Sequence, residues 1–351
     1  MFKTVTVSGI ASPYDCVIGS GSLKLLPEKI PLVTKARRFL VVTDDMVDSI
    51  YGDKVLSLLS DSGYDCVKFV FPNGEEHKNL GTISDILEFA ADNGFTRSDG
   101  IIALGGGICG DVAGFAAAVM LRGIDFIQIP TTFLAMIDSS VGGKTGVNLI
   151  HGKNLAGAFY QPRLVICDTD FLKTLPPERF SDGTAEAVKY GAIFDKALFD
   201  ALASDFRADI SDIIYRCIEL KAMVVAEDEF DNGQRQLLNF GHTIGHAIEK
   251  CSNFEISHGH AVAIGMVMAA RATFKEGISK EDFSPIISDV LLRNNLPVST
   301  DIPAPELLSV MLLDKKRKSE SITLVLPKTI GECILYKIPT CELEKFINLA
   351  I

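Results

Sequence analysis

The stretch from Ile101 to Leu121 constrains the fold more than any other part of the chain. It is the most apolar segment, yet it carries Asp111 and five glycines. A bilayer-spanning helix of that length would have to bury the charge in hydrocarbon, so the stretch reads instead as buried strand, loop and helix. Gly100-Ile-Ile-Ala-Leu104 is the strand, Gly105-Gly-Gly-Ile-Cys-Gly110-Asp111 the turn, and a small-residue helix follows to about Leu121. Short strands are expected at 3–8, 14–18, Arg38–Thr43, Cys66–Phe71 and Phe126–Ile129, with helices from Asp44 through Leu59 and over Ile83–Ala91. Strands that alternate with helices predict an α/β domain with a mostly parallel sheet.

The texture changes after Leu175-Pro-Pro177. Gly183–Ser204, Ile210–Ala226, Leu237–Cys251 and Val262–Phe274 place apolar residues three and four apart, the helical period. Ser321–Leu326 and Cys333–Lys337 suggest a late hairpin, and Glu342–Leu349 a closing helix. The expected organisation is an α/β domain over 1–180 and a mainly α-helical domain over 181–351, both large enough for a core of their own.

The net charge of −11, with 34 basic against 45 acidic residues, and the lack of a long Lys/Arg run argue against a nucleic-acid partner. The N-terminus has no signal-peptide pattern. Eight cysteines include no C-x-x-C pair, so neither a disulfide framework nor a cysteine zinc site is expected. The reading is a cytoplasmic, reduced protein without a membrane partner.

Four of the six histidines fall within nineteen residues: His242, His246, His258 and His260. His242 and His246 are four apart, on one helical face, where they could grip one ion or one substrate group. One Glu with two His suits Zn²⁺ with open positions. The spacing equals that of the zinc-protease H-E-x-x-H, but Thr243 occupies the slot of the general-base Glu, which disfavours a protease. The glycine-rich turn could let a pyrophosphate approach the backbone at a helix N-terminus, or serve only as a tight turn. Asn73-Gly-Glu75-Glu-His-Lys78 offers a carboxylate and an ammonium to ribose hydroxyls, or is a solvated charged turn. Gly-Gly-Lys144-Thr is similar to the end of a P-loop, but Asp138 stands where the first glycine is required. Lys144, Lys153 and Asn154 still suit a phosphate or carboxylate pocket.

Taken together, these residues resemble the 3-dehydroquinate synthase family of sugar phosphate cyclases. The match runs from about residue 40 to 335 through Gly105–Asp111, Arg122-Gly, Gln128–Thr132, Asp138–Lys144, Gly152–Asn154, Leu172–Pro176, Ala185-Glu186-x-x-Lys189, Leu238–His246, His258–Val262 and Asp314-Lys-Lys316. The resemblance implies a Rossmann-like NAD-binding domain and a helical metal domain, with the active site in the cleft. It also implies one NAD⁺, one Zn²⁺ or Co²⁺ per subunit, and a homodimer. The implied reaction converts 3-deoxy-D-arabino-heptulosonate 7-phosphate to 3-dehydroquinate and phosphate. Its course is transient NAD-linked oxidation, β-elimination of phosphate, reduction, ring opening and an intramolecular aldol.

By position, the resemblance gives the metal to Glu186, His242 and His258. It turns His246 toward the substrate phosphate, shared with Lys144, Asn154, Asn239 and Lys315 or Lys316, with Arg122 reaching in from a partner subunit. Lys221 and Arg235 would hold the carboxylate, and Asp138 and Lys189 the ring hydroxyls. Asp44, Asn73, Gly74, Glu75 and Lys78 would line the NAD site. So would Gly106, Gly107, Ile108, Gly110 and Asp111, then Thr131, Thr132, Lys144 and Lys153, and lastly Phe171, Leu172, Lys173 and Thr174. Four positions depart from the family pattern: Asp231 for a usual Glu, Glu178 and Arg179 in inverted order, and His260 for a common Glu. The rival expectations are a cyclase of the same fold with another sugar phosphate, a metal- and NAD-dependent polyol dehydrogenase, and a nucleotide-binding regulatory module.

Overall fold

A computed structural model describes residues 2–313 and 320–351. The chain divides into two compact units, one of residues 1–175 and 214–230, the other of residues 176–213 and 231–351. The first junction falls at Leu175/Pro176, slightly ahead of the expected 180/181. The segment Ile214–Phe230, expected in the second domain, packs with the first. There the Ala11 N–H donates to Glu229, Gln161 Nε2 donates to Glu229 at 3.0 Å, and the Phe159 and Phe230 rings meet edge to face at 5.3 Å.

The first unit is built on strands β1 (Lys3–Val7), β2 (Tyr14–Gly19), β3 (Arg38–Asp44), β4 (Asp65–Phe71), β5 (Gly100–Gly105) and β6 (Asp125–Pro130). Two further strands, β7 (Lys144–Leu149) and β8 (Gly152–Phe159), form a separate antiparallel hairpin, and β9 (Leu164–Asp168) returns to the main sheet. The seven-stranded order is β1-β2-β9-β6-β5-β3-β4, parallel except for the β1–β2 pair. Its helices are α1 (Leu26–Val33), the single turn α2 (Asp45–Val47), α3 (Asp53–Asp61), α4 (Leu80–Asp92) and α5 (Gly107–Val119). β5 is buried along its whole length, as the apolar run requires. The small residues of α5 let it lie close on the sheet, and Val112, Ala113, Ala116 and Ala117 are buried there. The helix ends before Leu121, whose φ is +50°. From β3 the chain passes outward to β4 and then back to β5 on the other side of β3. The strand order therefore reverses at β3 and β5, and ligands in open α/β sheets sit beyond the carboxyl ends of strands at such a point.

The second unit holds α6 (Pro177–Phe194), α7 (Lys196–Leu202), the first residues of α8 (Ile210–Glu227), α9 (His242–Cys251), α10 (His258–Lys275), α11 (Ser284–Arg293) and α12 (Ala304–Leu313). A hairpin, β10 (Ser321–Thr329) and β11 (Glu332–Pro339), and α13 (Leu343–Ala350) complete it. The single helix expected over 183–204 is two. Asp195 leaves helical geometry, and its carboxylate accepts from the N–H groups of Ala197 and Leu198, capping α7. The helix expected from Leu237 begins at His242, after a 3₁₀ turn over Gln234–Asn239 and Gly241 at φ +78°.

α6 is buried from Phe180 to Ile193 and α10 is buried around most of its circumference, so both are central helices. Their neighbours approach to backbone contact. A Cβ on Gly265 of α10 would collide with the carbonyl oxygen of Gly241 at the start of α9, and one on Gly259 would collide with the backbone of Asp182 in α6. Gly265→Ala should therefore force α9 off α10 and cost about 1–3 kcal/mol. Denaturant unfolding followed by circular dichroism tests this, and an unchanged midpoint and slope would contradict it.

Candidate functional site

In the second unit, α6, α9 and α10 bring one carboxylate and two imidazoles to a common point. Glu186 is 1% exposed, in the middle of α6. Its Oε2 accepts from the Lys189 ammonium one turn on, and Lys189 is equally buried. Its Oε1 lies 3.5 Å from Nε2 of His242 and 3.5 Å from Nε2 of His258. Donors about 2.1 Å from a tetrahedral ion stand about 3.4 Å apart, so this spacing matches one edge of such a shell.

The other ring nitrogens decide what faces inward. Nδ1 of His242 is 3.1 Å from the carbonyl oxygen of Phe240, and Nδ1 of His258 is 3.2 Å from Oε2 of Glu249. Carbonyl and carboxylate oxygens accept only, so each Nδ1 donates. In the neutral rings each Nε2 then presents a lone pair toward Glu186. Three converging acceptors repel one another unless a cation sits among them, so this donor set fits a divalent ion. Without one, burial holds His242 down at about 3, helped by the charge of Lys189. Burial also opposes a charge on His258, but Glu186 and Glu249 outweigh it and hold that imidazole up at about 10.

The pair suggested by spacing, His242 and His246, is divided. The exposed His246 ring stands 5.4 Å from that of His242 and 5.8 Å from that of His258. It belongs to a second possible donor set, with Glu249 and His258. Glu249 carries no role in the sequence reading. The available signal was its place three residues beyond His246 and seven beyond His242, on one face of α9. Arg235 is buried and Asn239 exposed, both in the turn before α9. Nε2 of His260 lies 3.1 Å from the Ser181 hydroxyl, and Asp231 has φ +59°.

In the first unit, the expected NAD-site residues mostly follow the carboxyl ends of parallel strands. Asp44 closes β3 and caps α2 through the Val47 N–H. Burial raises its pKa, against hydrogen bonds that include one from Asn73. Asn73, Gly74, Glu75 and Lys78 follow β4; Gly106, Gly107, Ile108, Gly110 and Asp111 follow β5; Thr131 and Thr132 follow β6; Phe171, Leu172, Lys173 and Thr174 follow β9. Asp44 and Gly105 meet at the strand-order reversal, where a Cβ built on Gly105 would lie 3.5 Å from the Asp44 carboxylate. Lys78 donates to Asp111 at 2.5 Å and to Asn154 at 2.6 Å. Burial raises the Asp111 pKa, and the charge of Lys78 opposes it. Glu75 accepts from Asn148 at 2.6 Å. The Thr174 and Tyr51 hydroxyls are 2.5 Å apart.

The loop expected around Lys144, Lys153 and Asn154 is the β7–β8 hairpin, with all three side chains exposed. Lys221, expected at a substrate carboxylate, donates to the carbonyl and carboxylate oxygens of Asp138. Arg122 is exposed, with φ +72°. Lys315 and Lys316 lie outside the described residues.

A doubly wound sheet with a glycine-rich turn at its switch point, and a helical unit carrying a Glu–His–His donor set, give this chain a fold similar to that of solved sugar phosphate cyclases. One solved member is a 2-deoxy-scyllo-inosose synthase complexed with carbaglucose-6-phosphate, NAD⁺ and Co²⁺. It is 27% identical, with a TM-score of 0.87, over 98% of this chain and 99% of that one. Another is a 2-epi-5-epi-valiolone synthase from Streptomyces hygroscopicus with NAD⁺ and Zn²⁺ bound. It is 27% identical, with a TM-score of 0.85, over 96% and 95% of the two chains. A sulfoacetaldehyde reductase from Bifidobacterium kashiwanohense, 18% identical with a TM-score of 0.67, shares the fold alone.

Residues 68–182 match the 3-dehydroquinate synthase N-terminal family and residues 183–317 the corresponding C-terminal family. The 3-dehydroquinate synthase of Clostridium acetobutylicum is 41% identical over 99% of both chains, and that of Streptococcus suis 42% over 98% of this chain and 99% of its own. The chain belongs to the 3-dehydroquinate synthase family. The fold class expected from the sequence, a mostly parallel α/β domain followed by a helical one, holds.

The Lys78–Asp111 pair gives a test of the first unit. Lys78→Met leaves a largely buried carboxylate without its cation and should cost about 3–5 kcal/mol. The double variant Lys78→Met/Asp111→Asn should regain part of that loss. Equal stabilities of wild type and single variant in urea would refute the coupling.

Proposed function

We propose that this chain converts 3-deoxy-D-arabino-heptulosonate 7-phosphate to 3-dehydroquinate and phosphate, as a lyase of aromatic amino acid biosynthesis. The convergence of Glu186, His242 and His258, in a chain that belongs to this family along most of its length, carries the reading. Glu186, His242 and His258 would hold a Zn²⁺ or Co²⁺ ion, and the residues beyond β3, β4, β5, β6 and β9 would hold NAD⁺. When bound, NAD⁺ would supply reversible hydride transfer, and the ion would supply Lewis acidity toward the hydroxyl to be oxidised.

The side chains position more than they react. Lys189 fixes Glu186 through Oε2 and, with Asp138, contacts ring hydroxyls. His246, Asn239, Lys144, Asn154 and Lys315 or Lys316 take the phosphate that leaves. Lys221 and Arg235 take the carboxylate. Arg122 serves the neighbouring subunit of a homodimer, and its exposure leaves it accessible for that. Holding one substrate in reactive geometry is worth about 7–11 kcal/mol in intramolecular reactions, which suits elimination followed by ring closure. Among the described residues no helix is long and apolar enough to cross a membrane. Eight free thiols suit the cytoplasm.

Phosphate release from the heptulosonate 7-phosphate tests the activity. Release should need only catalytic NAD⁺, accumulate no NADH, stop with a chelator and return with Zn²⁺ or Co²⁺. NADH formed in proportion to substrate would indicate a dehydrogenase instead. A second reading, a cyclase for a carboxylate-free sugar phosphate, draws on the two 27%-identical synthases. Release from a hexose 6-phosphate but not from the heptulosonate would favour it. Among variants, His242→Ala should lose metal and activity together. His246→Ala should keep the metal and slow phosphate release about 10²- to 10⁴-fold, the usual range for one positioned proton-transfer group. Equal metal loss in the two would remove His246 from the phosphate.

A further inference from the structure

Two donor sets overlap at one residue. His258 takes part with Glu186 and His242, and also with His246 and Glu249. The ring offers a different nitrogen to each carboxylate: Nε2 stands 3.5 Å from Glu186 and Nδ1 stands 3.2 Å from Glu249. Something must decide which nitrogen serves as donor to an ion. Glu249 is 3% exposed, near the end of α9, and its helix lies in backbone contact with α10, which carries His258. A carboxylate there accepts only, so it fixes the proton on Nδ1 and leaves the Nε2 lone pair for the Glu186 side.

We propose that Glu249 is a positioning residue that locks His258 as an Nε2 donor, and so selects the Glu186–His242–His258 set over the overlapping one. The proposal rests on the reading of that set as the metal site. The main-chain carbonyl of Phe240 plays the same part for His242, at 3.1 Å from Nδ1, and no side-chain substitution removes that acceptor. Glu249 is therefore the place where the orientation of a metal-binding imidazole can be altered by mutation.

The test is Co²⁺ titration of the full chain against a competing chelator, read by the visible absorption of the bound ion, for wild type, Glu249→Gln, Glu249→Asp and Glu186→Gln. Gln keeps the shape but replaces the charged acceptor by a neutral one. Wild type should bind one Co²⁺ per chain. Glu249→Gln should still bind one, with affinity about 10- to 100-fold lower, the usual cost of losing an outer partner of a metal-binding histidine. Its band intensity at saturation should stay that of wild type, because the ligands are the same. Glu249→Asp, which retains the charge, should recover part of the affinity. A general loss of packing would lower thermal stability without this dependence on charge.

Unchanged affinity in Glu249→Gln would overturn the proposal. So would two Co²⁺ ions per wild-type chain with only the second lost in Glu249→Gln, since Glu249 would then be a ligand beside His246. If Glu186→Gln binds Co²⁺ as wild type does, the metal-site reading itself fails, and that outcome is separate from the other two.

Discussion

A carboxylate buried in a helical core is stable only with positive charge or strong donors beside it, and much of the second unit is arranged around that requirement at Glu186. Lys189 answers one oxygen from the same helix. The other oxygen faces two imidazoles that arrive on α9 and α10, elements far apart in sequence from α6. For them to reach, the three helices must touch at the backbone, which is the task of Gly259 and Gly265. The packing and the chemistry are thus one constraint: a bulkier residue at either glycine would move an imidazole as well as a helix.

The first unit solves a different problem. Its sheet reverses strand order between β3 and β5, and the turn after β5 has almost no side chains, so α5 starts beyond the strand ends with no side-chain cap on its N-terminus. Charge is supplied to the same end of the sheet by Lys78, held between Asp111 and Asn154. Each unit therefore places an acidic group against a buried lysine, the partly buried Asp111 with Lys78 and the fully buried Glu186 with Lys189.

What could be read in advance follows from which forces are local. The strand, turn and helix across residues 100–119 were legible because an apolar run, clustered glycines and a small-residue helix are contiguous signals. The β7–β8 hairpin was not, because its strands are rich in glycine and polar residues. Gly146 and Gly157 face each other so closely that neither could carry a side chain, and their alternation therefore carries little hydrophobic contrast. The break at Asp195 was hidden because apolar spacing continues across it, although aspartate is a common helix cap. At the histidines, spacing could show only partners on one helix, His242 and His246. That Glu186 and His258 meet His242 is a tertiary fact, which the sequence carried through family likeness and not through periodicity.

The return of residues 214–230 to the first unit makes both units discontinuous along the chain. On the ribosome, the first 175 residues emerge without Tyr215, Ala226, Glu229 and Phe230, which pack against Lys3, Gly9, Ala11 and Phe159. The nucleotide-type sheet therefore cannot be fully buttressed until part of the helical unit has also been synthesised. Biogenesis is interleaved, and the seam seen in the finished chain is no place to cut the gene.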